Sequence, residues 1–459
     1  MVSAGKQKRP SRVNRFGRQP WGRCLSLALS LGLLIAGSAD ASGADALDRI
    51  SLGWLQKTHA AVEQLKKQRQ PVSLKTGYTD YRAVIHIHSH FSHDSHGTIK
   101  EILKAAHRTG VRIIMFTEHP AKTYDYYTDG HHGLKEGVLL IPGAEQGGLL
   151  KFPTRSVQNR TAVTPQAQVD LVRSTGGQVF LSHLEERLDW KLTGLTGSEI
   201  YNLHADFKDE HRFIKAARNP LTLLQLAPLI GQYHQEIFAA LQDDPTDYLR
   251  RWDQLCLLSP LTGIAANDAH HNQGVRAVID KQRRVRLEDA LGEKLVTLDP
   301  AKVLLLKPLL FGKSPGQTIC RIDLDPYENS FHHVSTHLLL KRLTEADVRN
   351  ALDAGRAYVA FDWLADPTGF VYEAVAGNRT WTMGRPVKLT PGLKLRSAAP
   401  LSGEFRLLRN GTEVVRHRGR ESQFAVTRPG IYRVEVRLTL PDEPKLWILS
   451  NPIYVTGSR

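Results

Sequence analysis

The stretch "RAVIHIHSHFSHDSHGT", Arg82–Thr98, places five histidines within eleven residues, directly after a short apolar run. The whole chain has 20 histidines in 459 residues, so the local concentration is far above the average. Asp94 lies among these histidines. Two interpretations are open at this point, a histidine-rich surface tract and a metal site.

The same pattern recurs along the chain from residue 80 to about 275. A short apolar run rich in β-branched residues ends in a residue that can bind a metal, and a loop or helix-like stretch follows. The intervening stretches include "TIKEILKAAHRTG" (98–110) and "TPQAQVDLVRSTGG" (164–177), which end in glycine stops. Strands that alternate with helices predict parallel βα units in a barrel, where all carboxyl ends of the strands face one mouth. The residues at these ends can therefore converge although they are far apart in sequence.

The residue types at the strand ends suit a metal site. His86 and His88 are two residues apart on a predicted strand, so both side chains should leave the same face and hold one ion at about 2.0–2.1 Å each. Asp94, Glu145 and Asp268 would add charge-balancing carboxylates. Ionisable groups at so many strand ends are costly unless they are paired or metal-bound. We therefore predict two or three divalent ions, and the mixed ligand set suits Zn, Mn or Fe.

Several motifs resemble those of a known superfamily. "HIHSHFSHDS", "FTEH", "PGAE", "LSH" and "NDAH" resemble successive motifs of the polymerase-and-histidinol-phosphatase (PHP) superfamily of metal-dependent phosphoesterases. "SHDS", "EIYN" and "DAHHN", followed by "SNPIYV", are most similar to its carbamate-hydrolase-like (CehA/McbA-type) branch. The resemblance covers roughly residues 80–275. It implies an α/β fold with a distorted (β/α)7 barrel that binds two or three metals.

The resemblance also implies a ligand set, residue by residue. Glu145 corresponds to the glutamate that bridges two ions. The full set of implied metal ligands is His86, His88, Asp94, His119, Glu145, His183, Asp268 and His270. Three-metal members use a further histidine between the positions of Glu145 and His183, yet residues 146–182 contain none. His204 could substitute for it, or the site holds two ions.

Three functions are weighed. The first is hydrolysis of a phosphate ester by a metal-activated water, since no Ser–His–Asp elbow or cysteine nucleophile is evident. His119, His183 or His204 could then act as the acid for the leaving group. The second function keeps the metals and hydrolyses a carbamate or carboxylic ester. The third, a non-enzymatic exported metal-binding protein that docks to a surface, fits less well, because storage has little need for such ligands at a barrel mouth.

The N-terminus is typical of an export signal. A basic segment precedes the apolar run "CLSLALSLGLLIAG" (24–37), and small residues with an Ala-x-Ala at Ala39–Ala41 follow. This run of 14 residues is shorter than the roughly 20 needed to cross a bilayer. We predict a signal peptide at 1–41 and a periplasmic or secreted protein without a membrane span in the mature chain. An uncleaved N-terminal anchor is the alternative.

The rest of the chain divides into three parts. Residues 42–78 are predicted to form an N-terminal helical segment that precedes the catalytic domain. Residues 79–385 are predicted to form the metallohydrolase barrel, with a helical insertion at about 205–256. Residues 386–459 contain short alternating segments and the hairpin signal "RNG" (409–411), which predict a small all-β sandwich with a structural or docking role. Whether Cys256 and Cys320 pair is left open by the sequence.

The net charge of +15 does not by itself indicate a nucleic-acid binder. Residues 1–41 carry seven Lys or Arg against one acid, so the remaining chain has a charge of +15 − 6 = +9. This charge is spread without a basic block or a basic–aromatic repeat. A small anionic or ester substrate therefore fits the composition, and no specific nucleic-acid partner is expected.

Overall fold

The histidine-rich stretch and the recurring pattern after it coincide with a series of short strands. The structure, a computed structural model, describes residues 46–158, 160–217, 226, 228–302, 307–441 and 443–457. The predicted signal peptide at 1–41 lies outside the described residues. Within the described part of the chain, no helix combines the length and apolar character needed to cross a membrane.

The regular elements alternate between strands and helices in the first half of the chain. The strands are β1 (Thr79–Ile85), β2 (Ile113–Met115), β3 (Gly133–Lys135), β4 (Val138–Ile141), β5 (Ala144–Gln146), β6 (Leu149–Phe152), β7 (Gln178–Leu181), β8 (Gly197–Asn202), β9 (Thr262–Ala266), β10 (Gly274–Ile279), β11 (Val285–Asp289), β12 (Lys294–Leu298), β13 (Thr318–Asp323), β14 (Ser335–Leu340), β15 (Ala357–Ala360), β16 (Val371–Ala376), β17 (Arg379–Thr382), β18 (Pro386–Lys388), β19 (Lys394–Arg409), β20 (Thr412–Ala425), β21 (Gly430–Thr439), β22 (Pro444–Ser450) and β23 (Ile453–Thr456). The helices are Ala46–Arg49, Leu52–Gln68, Ile99–Thr109, Pro165–Arg173, Leu203–Asp209, His211–Ala217, His234–Ala240, Thr246–Cys256, Lys307–Leu310, Tyr327–His333 and Glu345–Asp353.

Two groups of parallel strands position the candidate site. β1, β2 and β4 pair in parallel, and β7, β8 and β9 form a second parallel group. Just beyond the strand ends, parallel bridges join Ile87 to Ala269 and Glu118 to Ala144. These bridges bring the carboxyl ends of both groups to one place, as expected for such strands. The mixed α/β architecture is therefore observed, and the seven-stranded barrel stays a prediction.

Local signals explain the two predicted helices between these strands, and both predictions are confirmed. The side-chain oxygen of Thr98 accepts a hydrogen bond from the backbone of Glu101 and caps the helix Ile99–Thr109. Gly110 ends that helix with a φ of 74°, a conformation that favours glycine. Thr164 caps the helix Pro165–Arg173, whose first residue is proline.

The C-terminal strands continue a sheet that begins near the site. In this 14-stranded sheet, β1 pairs with β14, β14 with β15, and β15 with β22. β16 pairs with β19, across the predicted boundary at residue 385. Trp447 in β22 is fully buried in the largest apolar core. The structure thus contains additional β-sheet beside the α/β part, while a separate sandwich beginning at 386 stays a prediction.

Two further regions flank these sheets. β10, β11, β12 and β13 form an antiparallel four-stranded sheet that the sequence analysis did not predict. Cys320 lies in this sheet and Cys256 is buried in the helix Thr246–Cys256, so the two form no disulfide. Helices between residues 203 and 256 pack against the N-terminal helices, where Ile50 and Leu55 meet Phe213.

Candidate metal centre

Two groups of metal-binding side chains meet at the carboxyl ends of the parallel strands. The first ligand group consists of His86, His88, Glu145 and Asp268, and the second ligand group consists of His88, Asp94, His119 and His270. Within each group, one candidate ligand atom from every side chain lies within 4.8 Å of the others. The groups share His88. This arrangement fits two neighbouring ions, because each group offers four nitrogen or oxygen ligands.

The first ligand group converges on the ring nitrogen of His86. Its Nε2 atom lies 3.2 Å from a carboxylate oxygen of Glu145 and 3.2 Å from one of Asp268. His183 contacts the same two carboxylates, with its Nε2 atom 3.4 Å from each. His183 also belongs to a smaller group with Glu185 and Glu186. The structure therefore places His183 beside the first ligand group rather than within it.

The second ligand group surrounds the carboxylate of Asp94. His119 and His270 both direct Nε2 to the same oxygen of Asp94, at 3.3 Å each. The ring of His270 stacks on that of His88 at a centroid distance of 4.0 Å. His204 lies farther out, with its ring centroid 5.9 Å from that of His270, and it belongs to neither ligand group. All members of both groups lie between residues 86 and 270, and none comes from the described residues after 386.

Strained backbone aims three of these side chains. His86, His183 and Asp268 have φ values of 69°, 47° and 47°, which place them in the left-handed region that is unfavourable for residues other than glycine. Such strain persists only where the surroundings hold it, and it is common at functional sites. The expectation that His86 and His88 share a strand is wrong. β1 ends at Ile85, and the left-handed turn at His86 brings the two rings together instead.

Sequence reasoning missed Glu199, which orients His86 from behind. Glu199 is fully buried in β8, and its carboxylate lies 2.6 Å from Nδ1 of His86. The same carboxylate accepts hydrogen bonds from the backbone N–H of His183 at 2.7 Å and from Asn202 at 3.2 Å. Since a carboxylate only accepts, Nδ1 of His86 carries a proton, and Nε2 is the ring nitrogen that would bind an ion. The sequence contained one indication of this role, which is an ionisable residue within the apolar run "GSEIYN".

A second buried network orients His88 and was also missed. The hydroxyl of Ser92 donates to Glu118 at 2.7 Å, so it must accept from Nδ1 of His88 at 3.1 Å. Ser92 also accepts the backbone N–H of His119 at 2.9 Å. Glu118 is held in turn by the backbone N–H and hydroxyl of Ser89. This network leaves Nε2 of His88 free to act as a ligand.

The unsatisfied atoms of the site test whether metal ions fit. Nε2 of His86, Nε2 of His88, Oδ1 of Asp94 and Oδ1 of Asp268 are buried and have no hydrogen-bond partner. Buried polar atoms are rarely left unpaired in folded proteins. All four belong to the two ligand groups, and nitrogen and carboxylate oxygen are the donors that Zn, Mn and Fe accept. The residues present therefore fit a site for more than one divalent ion.

The charge states of Asp94, Glu145 and His88 agree with this fit. Burial alone would raise the pKa of Asp94, but hydrogen bonds from His119 and His270 hold it well below its usual range. Burial likewise opposes a low pKa of Glu145, and the neighbouring charge of His86 outweighs it. Burial lowers the pKa of His88 to about 3. Ionised carboxylates and a neutral imidazole are the forms that bind metals.

The predicted acid residues differ in their surroundings. Burial opposes the protonated form of His183, but hydrogen bonds with Asp268 and Glu185 raise its pKa to about 10. Burial also opposes protonation of His119, and its pKa is raised by the hydrogen bond to Asp94. Burial lowers the pKa of His204 to about 4. His119 belongs to the second ligand group, whereas His183 and His204 lie outside both groups.

Three comparisons with known proteins give one family match. The family model of the PHP domain matches residues 85–282. A solved structure from Bacteroides vulgatus ATCC 8482, of a two-domain protein containing a predicted PHP-like metal-dependent phosphoesterase, is 15% identical. That similarity covers 83% of this chain and 98% of the other, with a TM-score of 0.34. No curated protein matches the chain. The family comparison therefore assigns a PHP domain to residues 85–282, the stretch that supplies every member of both ligand groups.

Proposed function

We propose that this chain is an exported metal-dependent hydrolase that cleaves a phosphate ester. The observation that carries the proposal is the pair of ligand groups that share His88 and leave buried ligand atoms unpaired. Divalent ions bound there would supply the Lewis acid that polarises the ester and lowers the pKa of a water molecule. Zn, Mn and Fe are the candidate metals. Two ions are proposed, since His204 lies outside both groups.

The chain's own residues would divide the remaining work. Glu145 contacts His86 and His183, so its carboxylate would help to hold the ions and would balance their charge. His119 and His183 would help to hold the ions. His204 would contact the leaving group, because it borders both the site and the adjoining cavity. Glu199 would hold the ring of His86 and would not touch the substrate.

An apolar cavity beside the site would receive the organic part of the substrate. Asp268 and His204 form one side of this cavity. Apolar residues of the helical region also line it, which are Leu203, Phe207, Phe213, Ile230, Ile237, Phe238 and Leu241. No Lys or Arg lies among the described residues that line it. An ester with an aryl or alkyl group suits such a wall better than a highly charged one.

Hydrolysis of a carbamate or carboxylic ester is the second candidate function. The apolar cavity would accept the neutral organic part of such a substrate as well. The motif resemblance to the carbamate-hydrolase-like branch also supports it. The same metal site would serve both reactions, because polarising a carbonyl and polarising a phosphoryl oxygen require the same Lewis acid.

The test combines elemental analysis of the purified chain with a substrate panel. Phosphomonoesters, phosphodiesters and aryl carbamates are assayed after each of Zn, Mn and Fe is restored. We expect bound metal and phosphoesterase activity, both reduced in Glu145→Gln, with at least one ion lost. His96→Gln is the matched control, since His96 is exposed in the same histidine-rich stretch and belongs to neither ligand group. Full metal content in Glu145→Gln together with metal loss in His96→Gln would refute the ligand set.

A further inference from the structure

A polar cavity, distinct from the apolar one, lies on the opposite face of the β5–β6 hairpin from the metal centre. Lys151 faces Ala144 in the register of this hairpin, one position away from Glu145. Successive strand residues point to opposite faces, so Lys151 and Glu145 lie on different sides. We call the space the cationic cavity, and its principal lining residues are Lys122, Tyr126, Gln146, Lys151, Arg160 and Gln168. Three of these are cations, and no Asp or Glu lies among the described residues that line it.

Lys151 is a buried cation without a counter-charge. It is only 5% exposed. Its ammonium group donates hydrogen bonds to the side-chain oxygens of Gln146 at 2.5 Å and Gln168 at 3.3 Å. Among the residues that the structure describes, no carboxylate lies within ion-pair distance of it. Burial lowers the pKa of Lys151 to about 8, and a buried charge without a partner is costly. By contrast, buried Arg433 is paired with Asp253 at 2.8 Å.

Tyr126 provides an independent sign that a ligand is expected there. Its side chain is buried, and its hydroxyl has no hydrogen-bond partner. An O–H group that lines a cavity and is otherwise unpaired can donate to a bound acceptor. Lys122 and Arg160 are exposed at the same cavity, and the described residues place no carboxylate beside either one. The cavity therefore offers several donors and a positive charge, and no carboxylate is among the described residues that line it.

We propose that the cationic cavity binds a small oxyanion, such as a phosphate group. A phosphate group presents several anionic acceptor oxygens, so it would accept hydrogen bonds from the ammonium of Lys151 and the hydroxyl of Tyr126 together. Lys122 and Arg160 would close over it from the solvent side. The site is separate from the metal centre, yet the two are connected, because Tyr124 lines the cavity and donates a hydrogen bond to the backbone carbonyl of His119. An anion bound here would hold the segment that carries His119.

Calorimetric titration of the full, metal-loaded chain with inorganic phosphate tests this site. We expect saturable binding that Lys151→Met weakens at least tenfold, because one charge-assisted hydrogen bond contributes roughly 1.5–3 kcal/mol. Arg160→Gln, at an exposed position, should weaken it less but measurably. Lys313→Gln, at an exposed lysine elsewhere, is the control and should change nothing. The same titration with methylphosphonate distinguishes two sources of the anion. Binding of methylphosphonate indicates a phosphate group carried on an organic molecule, and binding of inorganic phosphate alone indicates the free ion.

Crossed variants separate this site from the metal centre. Glu145→Gln should leave the phosphate binding that depends on Lys151 unchanged. If Glu145→Gln abolishes all binding, phosphate binds only at the metal centre and the cationic cavity is not an anion site. If neither Lys151→Met nor Arg160→Gln weakens the binding, the proposal is equally wrong. Both results leave the proposed hydrolase activity unaffected, since the cavity contains no member of either ligand group.

Discussion

Replacing Glu199 with glutamine should weaken metal binding although Glu199 itself contacts no ion. The carboxylate of Glu199 accepts a hydrogen bond from Nδ1–H of His86 at 2.6 Å and another from the backbone N–H of His183 at 2.7 Å. A glutamine has one acceptor oxygen, and its NH2 group must then face one of these two donors. The backbone N–H cannot move its proton, so the oxygen is expected to stay with His183. The NH2 group would then face His86, which must shift its proton to Nε2 and lose the lone pair that the site needs.

The size of the effect follows from the role of such outer partners. Changing a hydrogen-bond partner behind a ligating histidine usually weakens metal affinity roughly 10–100-fold, or about 1.4–2.7 kcal/mol. Metal affinity is measured by competition with a chelator, and the rise in melting temperature on adding metal gives a second readout. Both should fall in Glu199→Gln. The matched control is Glu373→Gln, since Glu373 is 3% exposed and pairs with Arg396 in the C-terminal sheet.

The two variants separate positioning from general destabilisation. Glu373→Gln should lower the melting temperature and leave the metal affinity unchanged. Glu199→Gln should lower the metal affinity even at temperatures where both variants are fully folded. Unchanged chelator competition in a folded Glu199→Gln protein would refute the role assigned to Glu199 and, with it, the tautomer assigned to His86.

Three other predictions concern the substrate cavity, a buried histidine and the N-terminus. Phe207→Ala should lower kcat/KM for an aryl phosphate about tenfold or more, since burying such a ring contributes roughly 1.5–3 kcal/mol, and it should affect methyl phosphate little. The control is Phe311→Ala, at a residue that is 91% exposed. Equal losses of kcat/KM on both substrates would contradict the assignment of the cavity. Burial opposes the charge on His337, but its two carboxylate partners raise its pKa from 6.5 to about 9. The unfolding free energy should therefore be highest below pH 6.5 and fall by about 3 kcal/mol as pH rises through 9, and His337→Asn should remove that slope in pH-dependent denaturation. N-terminal sequencing of the exported protein should begin at residues 42–45, and an intact Met1 would contradict cleavage.

The sequence by itself determined which residue types lie at the ends of the central strands. A buried apolar run followed by His119, Glu145 or Asp268 is a local signal, because a strand's β-branched composition and its terminating residue are adjacent in the chain. The helix Ile99–Thr109 was predictable for the same reason, since Thr98 and Gly110 cap it directly. Parallel strands then bring their carboxyl ends together by a general rule.

Only the tertiary structure decided how the ligands are held and which charges are paired. Glu199 lies 113 residues from His86, so their hydrogen bond depends on the closing of the chain and leaves no local signal. The left-handed turn at His86 directly precedes the bridge between Ile87 and Ala269, which are far apart in the sequence. From the sequence alone, Lys151 would be predicted to be an ordinary surface lysine. Its burial without a carboxylate becomes visible when the loop and helix that enclose it are in place, because ion pairing is a property of neighbours in space.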